Sequence, residues 1–340
     1  MLDKAIRVGK FLANDPRTSV RIGQTPHTVI HRENKSTVLY FAPAVSAEPR
    51  TPIFISMPLI NTWTIFDLLP GRSVVEALTN AGTPVYLLDW GRPAAEDQPL
   101  RAVEFIDRIL HRAIDRSYRH ARSNHDAEML DMVGYCVGGT FLAAYLARHP
   151  EAARRVAFVA TPIDFHQSGR LGDWASPESF PLDDIIDGLG NFPSDLMKLS
   201  FAWLKIESQT GKWLTLWDRY DTEGFPELFA AMERWNQDNI DFAGECYRDY
   251  VRNCYFENRL MDGSWILGNE TTDLSNCKIP AQVIAASSDH IVPPPAATAL
   301  EQVWGGPVET TIVRGGHVGL CVGSQLSGAL TRWIEAGMEA

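Results

Sequence analysis

Cysteine is scarce and unpaired in this sequence. Its 340 residues hold five cysteines, none at the short spacings of a zinc site or a disulfide framework, so the chain has neither covalent nor metal staples to lean on. A reducing cytoplasm is the expected compartment. Long hydrophobic runs are missing too: no stretch of 18 apolar residues occurs, and the opening MLDKAIRVGKFLANDPR scatters charges where a secretory leader would carry an apolar segment. A soluble protein, neither secreted nor membrane-spanning, is expected. Positive charge is in deficit, with 31 Lys and Arg against 42 Asp and Glu and a formal net charge of -11. No long basic run offsets it, which excludes nucleic acid as the main partner and leaves small molecules or proteins.

What is present is an alternation of short apolar runs and helical patterns. Residues 27–30 and 36–41 are β-rich and separated by a charged turn, which predicts a hairpin. Residues 52–57 (PIFISM), 84–89 (PVYLLD), 129–135, 156–161 (VAFVAT), 281–287 (AQVIAAS) and 309–314 read as strands, most of them apolar enough to be buried on both faces. Between them, 72–80 and 99–120 carry helical spacing, the second through Val103, Ile106, Ile109, Leu110 and Ile114, and a helix with Leu326, Leu330 and Trp333 closes the chain. The architecture is α/β with a mostly parallel sheet. Residues 1–24 read as a short amphipathic helix and linker packed on the body, and 25–161 with 277–340 as the core.

From 162 to 276 the rhythm lapses. No clear strand is visible, and six of the ten tryptophans fall there: Trp174, Trp203, Trp213, Trp217, Trp235 and Trp265. A helical, aromatic insertion between two strands reads as a cap over an active site. Each of these tryptophans can equally pack the insertion's own core.

The chemistry centres on GYCVGG, where a strand, a glycine-flanked turn and a small-residue helix put Cys136 in the position of the nucleophile in a G-x-S-x-G elbow. The following helix points its N-terminus at the sulfur and favours negative charge there. The elbow needs an acid and a histidine in the order nucleophile, acid, His, each just after a strand. Asp289 and His317 satisfy both requirements. In the α/β-hydrolase fold that this order marks, His317 takes the thiol proton and Asp289 orients the imidazole. The oxyanion hole falls to the backbone N-H of Val137 and of Leu59 or Ile60, in the apolar stretch after the PIFISM strand. Such a triad performs acyl transfer. A cysteine nucleophile points to a thioester donor, because donor and enzyme thioesters then differ little in free energy. No metal or cofactor is expected.

These residues resemble the polyhydroxyalkanoate synthases, and especially the short class III catalytic subunit. The resemblance is carried in order by PLIN at 58–61, LPGRSVVE at 69–76, VYLLDWG at 85–91, GYCVGGT at 134–140, TPIDF at 161–165, RWNQD at 234–238, SSDHIVPP at 287–294 and GGHVGLCVG at 315–323. It implies an α/β-hydrolase core with a cap, a triad of Cys136, Asp289 and His317, and polymerisation of (R)-3-hydroxyacyl-CoA to polyester with release of CoA. It further implies an auxiliary role for His290, which follows Asp289 directly; an orienting role in its own loop is the other reading. A second synthase subunit, a homodimer or hetero-oligomer, and a place in the cytoplasm at the surface of a polyester granule are implied as well. The chain departs from the family in NTWTIFDLLPG after PLIN and in NIDFAGECYRDYV after RWNQD, so the resemblance bears more on the chemistry than on substrate range or partners. A thioesterase or intracellular polyester depolymerase would use the same triad, and a granule-associated homologue without turnover is the non-enzymatic alternative.

Overall fold

The computed structural model describes residues 2–44, 50–204 and 206–337, and for 206–210 the backbone alone. Eight strands form the main sheet: β1 (Thr28–Glu33), β2 (Ser36–Phe41), β3 (Ile53–Ser56), β4 (Val85–Asp89), β5 (Asp131–Tyr135), β6 (Val156–Val159), β7 (Ala281–Ala286) and β8 (Val308–Val313). Their spatial order is β1-β2-β4-β3-β5-β6-β7-β8, antiparallel across β1, β2 and β4 and parallel from β4 to β8.

The alternation of side chains along β3 shows why the parallel strands read as unbroken apolar runs. Ile53 and Ile55 enter one core with Phe41, Val133 and Leu330, while Phe54 enters the other with Met132, Phe141 and Phe158. A strand with a core on each face has no polar side to display. Helices supply the covers. Besides α1 (Leu2–Ala13) on the outside, they include α2 (Val74–Asn80), α3 (His111–His125) and α4 (Val137–Arg148). The crossover expected over 99–120 is only partly a regular helix, because Glu104–Leu110 is wound as a π-helix before α3 begins.

Between β6 and β7 lies the insertion, with α5 (Leu182–Leu189), α6 (Ser194–Leu204), α7 (Ile206–Arg219), α8 (Phe225–Gln237) and α9 (Gly244–Tyr250). It also holds a small antiparallel hairpin, Trp265–Leu267 with Glu270–Thr272, where no strand was expected from the sequence. Three-residue strands are too short for a period to show. The tryptophans divide: Trp265 is fully buried edge-on against Phe141 and Trp235 is buried, but Trp203 and Trp213 are exposed. No helix among the described residues is long and apolar enough to cross a membrane.

Candidate active site

The turn after β5 is shaped by three close approaches. A Cβ on Gly134 would lie 2.4 Å from the Cα of Gly139, one on Gly138 would lie 2.1 Å from the carbonyl oxygen of Met57, and one on Gly139 would lie 2.0 Å from Oγ1 of Thr161. Only glycine lets strand β5, helix α4 and the ends of β3 and β6 converge there. Ser56 Oγ donates to the Gly138 carbonyl at 2.9 Å, and the Cys136 N-H donates to the Val159 carbonyl at 3.0 Å. Held from both sides, Cys136 sits at φ 52°, ψ -133°, a conformation that costs a non-glycine residue roughly 1–3 kcal/mol. That backbone places the side chain at the tip of the turn, ahead of the first N-H groups of α4.

Asp289 follows β7 and is buried. Its Oδ1 accepts from the N-H groups of Ile291 and Val292 at 2.9 and 2.8 Å, which closes a turn and leaves Oδ2 to accept from Nδ1 of His317 at 2.8 Å. His317 opens the short helix α10 (His317–Val322), ahead of the terminal α11 (Ser324–Ala336). Tyr135, the residue before Cys136, stacks on the imidazole with centroids 5.4 Å apart. Burial pulls the imidazole pKa down. The charges of Asp289 and Cys136, and hydrogen bonds to both, outweigh it and raise the pKa to about 10. Because a carboxylate only accepts, Nδ1 carries its proton and Nε2 is left for exchange with the thiol.

Cys136 also lines a cavity of about 170 Å³ roofed by the insertion, whose walls include Ile60, Phe192, Phe242, Tyr250 and Tyr255. Ile60 and Val137 share this cavity, and neither N-H has an acceptor among the described residues. The Leu59 side chain lines a separate hollow with Trp90 and Phe105. Residues of the insertion pin the loop after β3: Ile240 N-H donates to the Ile60 carbonyl at 3.0 Å, Trp235 Nε1 to the Thr62 carbonyl at 3.1 Å, and Asn61 Nδ2 to Asn239 Oδ1 at 2.7 Å. His290 is exposed and does not line the cavity.

Residues 67–323 match the family described as the alpha/beta hydrolase fold. The chain is 30% identical over 346 residues to the poly(3-hydroxyalkanoate) polymerase subunit PhaC of Allochromatium vinosum, covering 98% of this chain and 96% of that one. It belongs to the poly(3-hydroxyalkanoate) polymerase family. Membership makes the chain an acyl-transferring enzyme. Another relative of the same name, from Haloferax mediterranei, is 32% identical over 92% of this chain, which spans 63% of that relative's length. Among solved structures, Est1E from Butyrivibrio proteoclasticus superposes with a TM-score of 0.53 at 12% identity, covering 92% of this chain and 99% of that one. At that identity the likeness shows the shared fold alone.

The four remaining cysteines of this polymerase homologue are buried and have no imidazole partner among the described residues, and burial is the main cause that pushes up the Cys321 and Cys277 thiols, to about 12 and about 11. The Cys246 and Cys254 thiols are likewise held well above their ordinary value, again chiefly by burial. The sequence reading did not single out Tyr250 and Tyr255, which border the cavity beside Cys136. Their only signal was the aromatic run YRDYVRNCYF.

Proposed function

We propose that this chain polymerises (R)-3-hydroxyacyl-CoA to a polyester through a covalent thioester on Cys136. The observation that carries the reading is the buried Asp289–His317 pair coupled to a cysteine in the wall of an apolar cavity. Sγ attacks the thioester carbonyl and an S–C bond forms. The oxyanion is held by the N-H groups of Val137 and Ile60, then collapse breaks the bond to CoA, whose sulfur takes the proton from His317. In the second half, the hydroxyl of another acyl unit or of the growing chain attacks the enzyme thioester. His317 takes that hydroxyl proton, the C–O ester bond forms and the bond to Cys136 breaks, restoring the starting state.

The apolar cavity favours a hydroxyl over water as acceptor by keeping bulk water from the acyl-enzyme. A second synthase subunit, assembly as a homodimer or hetero-oligomer, and work at a granule surface in the cytoplasm belong to the same proposal. The test is to incubate the purified chain with (R)-3-hydroxybutyryl-CoA and follow both CoA and products. Release of CoA with an oligoester product, abolished in Cys136→Ala, is expected. Free 3-hydroxybutyrate as the sole product would mark the chain as a hydrolase instead. Release that requires added partner protein would establish the second subunit.

A further inference from the structure

Helix α9 does not stop at Tyr250 but loosens into a π-helical turn, Val251–Phe256. Such turns are uncommon and gather at functional sites, because the wider pitch re-aims side chains that an α-helix would send elsewhere. Here the consequence is specific. Residues five apart lie about 140° apart around an α-helix, whereas π-winding brings them to one side. Tyr250 and Tyr255 are such a pair, and their rings meet edge-on with centroids 5.8 Å apart. Phe165 packs against both, at 5.6 and 4.9 Å, and Phe242 packs against Tyr250 at 5.9 Å, so both rings are clamped.

Both residues line the cavity with Cys136, and neither hydroxyl has a partner outside the pair among the described residues. Two further hydroxyl-bearing residues line that wall: Tyr247, whose ring stacks on Phe192 with centroids 4.1 Å apart, and Ser200, already satisfied by donating to the Leu196 carbonyl at 3.0 Å. Burial first, and the charge of Cys136 in addition, hold both phenols well above their ordinary range, so they are neutral groups close to the sulfur. A pair of neutral phenols with one donor and one acceptor to spare, in a mainly apolar pocket, matches an alcohol, which donates once and accepts.

We propose that the Tyr250–Tyr255 pair binds the 3-hydroxyl of the acyl group carried on Cys136 and thereby sets a preference for 3-hydroxyacyl over unsubstituted acyl thioesters. The inference rests on Cys136 being the acylated residue. In that acyl-enzyme the 3-oxygen stands two carbons from the carbonyl, in the part of the cavity next to the sulfur. A site built to hydrogen-bond a hydroxyl discriminates against the analogue that lacks it, since its own polar groups are then left unpaired.

Single-turnover CoA release should be measured with (R)-3-hydroxybutyryl-CoA and with butyryl-CoA, in the unaltered chain and in Tyr250→Phe and Tyr255→Phe. The unaltered chain is expected to favour the hydroxyacyl substrate, and each substitution to cut that preference by about tenfold. Equal losses with both substrates, no change in the ratio, or no preference to begin with would each overturn the proposal. Cys136→Ala separates the two levels: release that persists in that variant defeats the acyl-enzyme itself, whereas release that depends on Cys136 but is indifferent to the tyrosines defeats only the hydroxyl site.

Discussion

At its starting end, β5 carries Asp131, fully buried and fully occupied. Arg154 grips it with Nε and Nη2, both at 2.9 Å, and Arg155 Nε donates at 3.0 Å. Arg155 goes on to bond the Ile334 carbonyl at 3.0 Å and lies 4.3 Å over the Trp333 ring, so this end of the strand also ties down the terminal helix. Five residues later the same strand delivers Cys136 in a strained backbone, beside a histidine whose proton is held by opposite charges. One end spends its charges on mutual satisfaction and gives stability. The other couples a cysteine to an imidazole and leaves the Ile60 and Val137 N-H groups without acceptors among the described residues, an arrangement that chemistry can use.

The contrast can be broken first at the reactive end. Asp289→Asn keeps the shape of the acid but removes the leading cause of the raised His317 pKa, leaving Cys136 alone to oppose burial. CoA release should fall on the order of a thousandfold. The sign is fixed by the direction of the shift. In the unaltered chain the protonated imidazole is favoured as far as about pH 10, so its stabilising contribution is complete below the ordinary value near 6.5 and fades as pH rises towards 10. In the variant the histidine ring resonances should titrate at lower pH, and an unshifted titration would show that Asp289 does not govern His317.

The quiet end should answer through stability. Asp131→Ala leaves two guanidinium groups facing a void and should lower unfolding free energy by about 3–5 kcal/mol. Denaturant melts give that loss, while CoA release per folded molecule should stay as it was; a specific loss of turnover would mean that the two ends are coupled. The smallest effect concerns the strain at the elbow. Cys136→Gly and Cys136→Ala are both inactive in the proposed mechanism, but the glycine variant should be the more stable by about 1 kcal/mol, because glycine accepts a positive φ without strain. Equal stabilities would remove strain from the account of this turn.

How much of this was legible depends on what each feature needs. Cys136, Asp289 and His317 lie at strand ends, and strand ends can be found from apolar runs and glycine punctuation without knowing any side-chain direction. The sheet strands were legible for the same reason. How the loop carrying Leu59 and Ile60 is held was not, since Trp235, Asn239 and Ile240 hold it from far away in sequence. The hairpin at Trp265 was hidden by its brevity. Tyr250 and Tyr255 were hidden by the π-turn: an α-helical period sends them to different faces, and the extra residue in the turn leaves no mark in the hydrophobic pattern.

The sequence by itself determined the class of fold, the placing of Cys136, Asp289 and His317 at successive strand ends, and the family, because these follow from local periodicity and from motifs of a few adjacent residues. Only the tertiary structure decided that Ile60 and Val137 share a cavity with Cys136, that His290 stands outside it, and that Tyr250 and Tyr255 line it. Those outcomes depend on packing between segments far apart in the chain, where a single residue of winding or one distant hydrogen bond changes which side chain reaches the site.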